Sequence, residues 1–256
     1  MINEIMPLLA QILIFSVLSG VLSLIGGVAL LGKRDWVNKF SIHFVSFAVG
    51  ALLSVAFLDL LPEAIEASEN IEGLFAIVLG GMVAFFIIEG VVLKFHPHHH
   101  EDTQDHHHAT PILMNIGDSI HNFVDGVAIA VAFLAGHELG ILTALAVAAH
   151  ELPQEISDFS IMLHHGWPKR KVFRVNFIVS LTNVAGATIA YLARDFITPV
   201  LPYILALTAG IFIYIASADL LPEISHGKQS DKTLHVISLM ILGIVSVWAL
   251  SRYLGV

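Results

Sequence analysis

Apolar residues along this chain neither alternate nor keep to one helical face. They continue for 20 residues and more before a short polar stretch interrupts them. Runs of this kind predict eight helices, over 5–31, 41–64, 73–94, 111–135, 139–165, 171–194, 199–224 and 233–255. Each is long enough to cross a hydrocarbon layer of about 30 Å at about 1.5 Å per residue. The connections are too short to hold a second domain, so 1–256 reads as one all-α, membrane-embedded transmembrane domain whose immediate partner is the lipid bilayer. The first run is not expected to be a cleavable leader, since it carries Glu4, lacks a basic start and is too long.

Composition narrows this further. Of 256 residues, 56% are hydrophobic and only 13% charged, with a mean hydropathy of +0.82. Soluble domains carry about 25% charged residues, so soluble catalytic folds are excluded. A net charge of −9 with no free basic stripe excludes nucleic acid as a partner. The absence of cysteine removes disulfides, iron–sulfur clusters and thiolate metal sites. Charge placement then orients the chain. With the N-terminus outside, Lys33, Arg34, Lys39, Lys94, Lys169, Arg170, Lys171, Arg174, Lys228 and Lys232 all fall inside, leaving only Arg194 and Arg252 outside. The positive-inside rule therefore predicts extracytoplasmic termini, in a plasma or inner membrane.

One motif occurs twice. The second run ends Ala56-Phe-Leu-Asp59-Leu-Leu-Pro62-Glu63, and the seventh ends Ala216-Ser-Ala-Asp219-Leu-Leu-Pro222-Glu223. Helices two and seven cross in opposite directions, so the copies predict an inverted repeat, arranged as three helices, a central pair and three inverted helices. In that arrangement Asp59 and Glu63 lie near the outer mouth of a path, and Asp219 and Glu223 near the inner one.

Ionisable groups within a bilayer cost about 2.5–3.5 kcal/mol each on insertion scales and mark ion pathways. Two clusters fall at the middle of adjacent helices: His121-Asn122-Phe-Val-Asp125-Gly126 in the fourth, and His150-Glu151-Leu-Pro153-Gln154-Glu155 in the fifth. His121 and Asp125 share a helical face, as do His150 and Gln154, and Glu151 and Glu155. Imidazole and carboxylate donors converging from facing helices suit zinc and related divalent metals. Pro153 frees the carbonyl of Ala149, and Gly126 admits a neighbouring backbone. Asp118, Asp158 and, further off, Glu89 continue toward the inner side as an exit path. Beyond them the stretch 96–108 holds seven of the fifteen histidines, including His98, His99, His100, His106, His107 and His108. It reads as a metal-binding inner loop. No ATP motif is present: Gly27–Arg34 only imitates a phosphate loop, without its closing hydroxyl residue or its preceding strand. Any transport is therefore expected to be passive or coupled to an ion gradient, with no organic cofactor.

The paired motifs resemble those of the ZIP (Zrt-/Irt-like) metal transporters, closest to the branch reading HNFxDG and HExPHE. The resemblance covers the whole chain and implies zinc entry into the cytoplasm, a homodimer, and a two-metal site. His121, Asp125, His150 and Gln154 are implied at one metal position. Asn122 and Glu151 are implied at the other, with Gln154 shared, Glu155 adjoining and Asn183 as the contribution of helix six. Gln154 departs from the branch pattern, which has His there; an amide oxygen is the weaker donor.

Two other classes share part of this pattern. His150-Glu151 matches the first half of the metalloprotease motif HExxH, which raises an intramembrane zinc hydrolase. Gln154 stands where that motif needs its second His, and Pro153 interrupts the helix, so the protein is not expected to be an enzyme. A cation-diffusion exporter would resemble six helices followed by a soluble domain, and eight runs ending near Val256 do not fit it.

Overall fold

A computed structural model describes residues 7–94, 109–225 and 233–255. Among these the chain is helical almost throughout and forms no strand, as backbone groups in a bilayer require. α1 runs from Leu8 to Ser54, 47 residues without a break, where the hydrophobic pattern predicts two helices. The intervening basic stretch contains no proline, so nothing chemical forces helical geometry to stop there. A straight helix of this length would measure about 70 Å. α5 (His137–His164) packs along the first part of α1, with Phe159 against Gly27. It also packs on the segment Val55–Leu60 that follows α1, which a straight rod would carry out of reach. The axis therefore turns back, and Leu8–Gly32 and Ile42–Glu66 cross as separate apolar spans.

Val55–Leu60 is a π-helical turn, continued by α2 (Leu61–Glu66). Next come α3 (Ile71–Lys94), α4 (Ala109–Ala135), α5 and α6 (Lys169–Leu192). The short α7 (Arg194–Ile197) and a 3-10 turn (Thr198–Val200) lead into α8 (Leu201–Tyr214). A second π turn (Ile215–Leu220) follows, then α9 (Leu221–Ser225) and α10 (Thr233–Leu254). Among the described residues seven helical stretches are long and apolar enough to cross a membrane. α5 is as long as these but too polar to count among them.

The two π turns occupy the two copies of the repeated motif. In each, the amide after the turn bonds five residues back: Leu61 N–H to Ala56 O, and Leu221 N–H to Ala216 O. Proline supplies the reason. Pro62 and Pro222 have no N–H for the carbonyl four residues earlier, so the preceding turn widens instead of closing in α geometry.

The main core brings Val45, Leu52 and Val55 together with Ile129, Leu142 and Phe212. A smaller one collects Leu24, Ile156, Phe159, Met162 and Val172 around α1, α5 and α6. α4 lies against α6 at a glycine crossing, where a Cβ on Gly126 would sit 1.8 Å from the carbonyl oxygen of Asn183 and one on Gly186 would sit 2.1 Å from that of Phe123. Only glycine permits that approach, and it brings a third helix up to the midplane polar residues.

Candidate metal centre

α4 and α5 run antiparallel, separated by Gly136 alone. That hairpin sets the middle of one helix beside the middle of the other. His121 and Asp125 lie one turn apart on α4 and face His150 and Glu151 on α5, and one ligand atom from each falls within 4.8 Å of all the others. The two Nε2 atoms are 3.1 Å apart. Asp125 Oδ2 lies 3.6 Å from His121 Nε2 and 3.0 Å from His150 Nε2, and Glu151 Oε1 lies 3.6 Å and 3.8 Å from the same two atoms. Four donors arranged tetrahedrally around zinc at about 2.0–2.1 Å would stand about 3.3–3.4 Å from one another. The observed separations bracket that figure.

Proton accounting points the same way. His150 Nδ1 lies 3.2 Å from the carbonyl oxygen of Ala146 one turn back and donates to it, which turns its Nε2 toward a second imidazole and two carboxylates. Both oxygens of Glu151 are buried without a hydrogen-bond donor. An unmet buried acceptor costs about 1–3 kcal/mol, more when charged, and a divalent cation among these groups meets all of them at once. The walls are apolar: the Phe85 ring stands edge-on to His121 at 5.3 Å, and the Phe212 ring lies 6.2 Å from His150.

Glu151, implied for the second metal position, stands instead among the residues of the first, and the other expected ligands adjoin the group. Asn122 donates through Nδ2 to the backbone and side chain of Asp118, at 3.2 Å and 3.1 Å, leaving its Oδ1 buried and unmet. Gln154 Oε1, both oxygens of Glu155 and both polar side-chain atoms of Asn183 are likewise buried without partners. Asp118 and Asp158 lie beside each other across α4 and α5, displaced from the histidines toward the start of α4.

Asp59 lies elsewhere. It is only 1% exposed and accepts a hydrogen bond of 2.6 Å from Ser251 Oγ on α10, so here it ties the first π turn to the last helix. Glu63 is half-buried beyond it. The side chains of Glu89, Asp219 and Glu223, and the histidines of 96–108, lie outside the described residues. Ser251 was missed in the sequence, since nothing local links positions 192 residues apart. Asn115 and Asn176 were also missed. Their signal was present: an amide within an apolar run, with Asn115 three residues before Asp118.

The chain is similar to known proteins of one kind. A family model described as "ZIP Zinc transporter" matches residues 8–113 and 110–251. Zinc transporter ZIP13 of Pongo abelii is 30% identical over 217 residues, covering 79% of this chain and 64% of that protein. Zinc transporter ZIP10 of Danio rerio is 40% identical over 116 residues, covering 45% of this chain and 14% of its own length. Zinc transporter ZIP4 of Rattus norvegicus is 28% identical across 81% of this chain and 42% of that protein. The chain thus spans less than two thirds of each of these relatives.

Proposed function

The chain belongs to the ZIP zinc transporter family, and from that premise we propose that it carries divalent metal, zinc first, across a cell membrane into the cytoplasm. The observation that carries this reading is the buried quartet His121, Asp125, His150 and Glu151, with separations of 3.0–3.8 Å along its five close pairs. The cation sheds water and takes these four as ligands. Asn122, Gln154, Glu155 and Asn183 form the adjoining second position, where the neutral amides hold a second ion more weakly than carboxylates. Asp118 and Asp158 receive the ion next, and the histidine-rich segment 96–108 accepts it at the cytoplasmic side. No organic cofactor takes part. The relatives are named as transporters, not as hydrolases, and the hydrolase reading is set aside.

The same reading takes the repeated motifs as matched gates of an inverted repeat, with both termini extracytoplasmic and a homodimer as the working unit. The π turns at both motifs support this, because widened turns are favoured places for helices to move. As the chain has no cysteine, Glu63→Cys and Glu223→Cys, at the end of each motif, can be labelled singly with an impermeant thiol reagent. Labelling of both from one side defeats the inverted arrangement.

Uptake of radiozinc into proteoliposomes, with cadmium, iron and manganese as competitors, tests the function directly. Saturable zinc entry that His121→Ala and His150→Ala together remove is expected. Undiminished entry in that double variant ends the assignment of the site.

A further inference from the structure

Away from the midplane, three buried polar or polarisable side chains meet in a place that the metal centre does not use. Met162 of α5 belongs to the smaller apolar core, and the amides of Asn115 on α4 and Asn176 on α6 both donate to its sulfur, at 3.7 Å and 3.9 Å. Each amide nitrogen is also anchored to its own helix: Asn115 to the carbonyl of Pro111, and Asn176 to that of Val172 at 3.0 Å. These bonds set the orientation of both amides. They leave Asn115 Oδ1 and Asn176 Oδ1 buried with no donor, on residues only 8% and 0% exposed. Leucine at either position would fill the space without that loss of about 1–3 kcal/mol per acceptor.

The placement gives the clue. On α4, Asn115 stands three residues before Asp118, which is followed at helical spacing by Asn122 and Asp125. On α5, Glu151, Glu155, Asp158 and Met162 follow one another at intervals of four, three and four. On α6, Asn176 lies two turns before Asn183. Three helices thus extend their polar faces to this point, and the start of α4 next to it is where the histidine-rich segment joins.

We infer that Asn115, Met162 and Asn176 form a neutral relay for the cation between the carboxylates Asp118 and Asp158 and the histidine-rich segment, a position at which the two amide oxygens, and the thioether once the amide N–H groups turn from it, hold a partly hydrated divalent metal. This rests on the transport reading above and adds one position to it. Neutrality suits the task, because a step along a conduction path must bind well enough to be entered and weakly enough to be left. The thioether adds a preference, since sulfur favours softer cations, cadmium over zinc.

The test uses the full chain. Met162→Leu keeps the volume of the side chain and removes only the sulfur. In proteoliposomes it is expected to lower the ratio of cadmium to zinc uptake by about threefold or more. Asn176→Asp places a charge at the relay and turns a transient position into a trap. Purified and titrated with cadmium, it is expected to bind one more ion per chain than the parent. An unchanged uptake ratio in Met162→Leu, or an unchanged ion count in Asn176→Asp, overturns the relay. A parent protein that moves neither metal defeats the transport reading instead, and the titration still reports on the three residues by themselves.

Discussion

α3 and α5 are close in length, 24 and 28 residues, yet they meet the bilayer in opposite ways. α3 turns Phe75, Leu79, Val83, Phe86 and Ile87 outward, each 47–61% exposed, and hydrocarbon is their solvent. α5 carries His150, Glu151 and Glu155, all 2% exposed or less, and is wrapped by α1, α4 and α6. A span this polar survives because other helices supply its apolar surroundings. The lesson is that in this molecule polarity is sorted by helix, and enclosure decides where ligand atoms can stand.

The sharpest way to break the contrast is to remove a ligand from the enclosed helix. Outer-shell changes at metal sites cost about 10–100-fold, so His150→Ala, a direct ligand, should lower zinc uptake by on the order of a hundredfold or more. On α3, Leu79→Ala changes a side chain that is 61% exposed and should leave uptake within about twofold, as for surface positions generally. Equal losses in both would mean that the two helices do not differ in the way described.

Packing offers the next test. Gly126→Ala drives a methyl group into the Asn183 carbonyl at 1.8 Å, and overpacking of this kind costs about 1–3 kcal/mol or more. Thermal unfolding in detergent should fall accordingly. Ser251→Ala removes the donor to Asp59 Oδ1, and a loss of about 1–2 kcal/mol in the same assay is expected for a stranded buried acceptor. The smallest effect, and of opposite sign, belongs to Gly80 on α3. No heavy atom lies within 4 Å of a Cβ there, so Gly80→Ala should stabilise by no more than about 1 kcal/mol through helix propensity.

Much of this was legible in the residues, because long apolar runs and paired i, i+4 ligands are local signals. His121, Asp125 and His150, assigned to one metal position by spacing and resemblance, do converge, and Glu151, which the resemblance puts at the other position, stands with them. Gly126 was read as a place of close backbone approach, and Asn183 on α6 proves to be what approaches. Other features depend on long-range contacts that no window contains. The bond from Ser251 to Asp59 needs α10 beside the first π turn, and the meeting of Asn115, Met162 and Asn176 needs three helices at once. The unbroken helical geometry of α1 was missed for a different reason. Basic residues suggested a connection, but lysine and arginine are good helix formers, and only the contacts of α5 reveal that the axis turns back.

The two widened turns have an arithmetic consequence. A π turn holds one residue more than the α-helical count, and one residue amounts to about 100° of rotation. Side chains before Val55 and after Leu60 are therefore out of phase with a regular helix by that angle, and the same slip occurs at Ile215–Leu220. Pro62 and Pro222 bound the extra residue on its C-terminal side only, and upstream of them no covalent feature fixes its place. Moving it one position along the helix exchanges a single backbone bond for its neighbour, while every side chain it passes swings to a new bearing. A span built in this way carries an adjustable joint, able to re-aim the residue at position 59 while both ends of the helix stay where the membrane holds them.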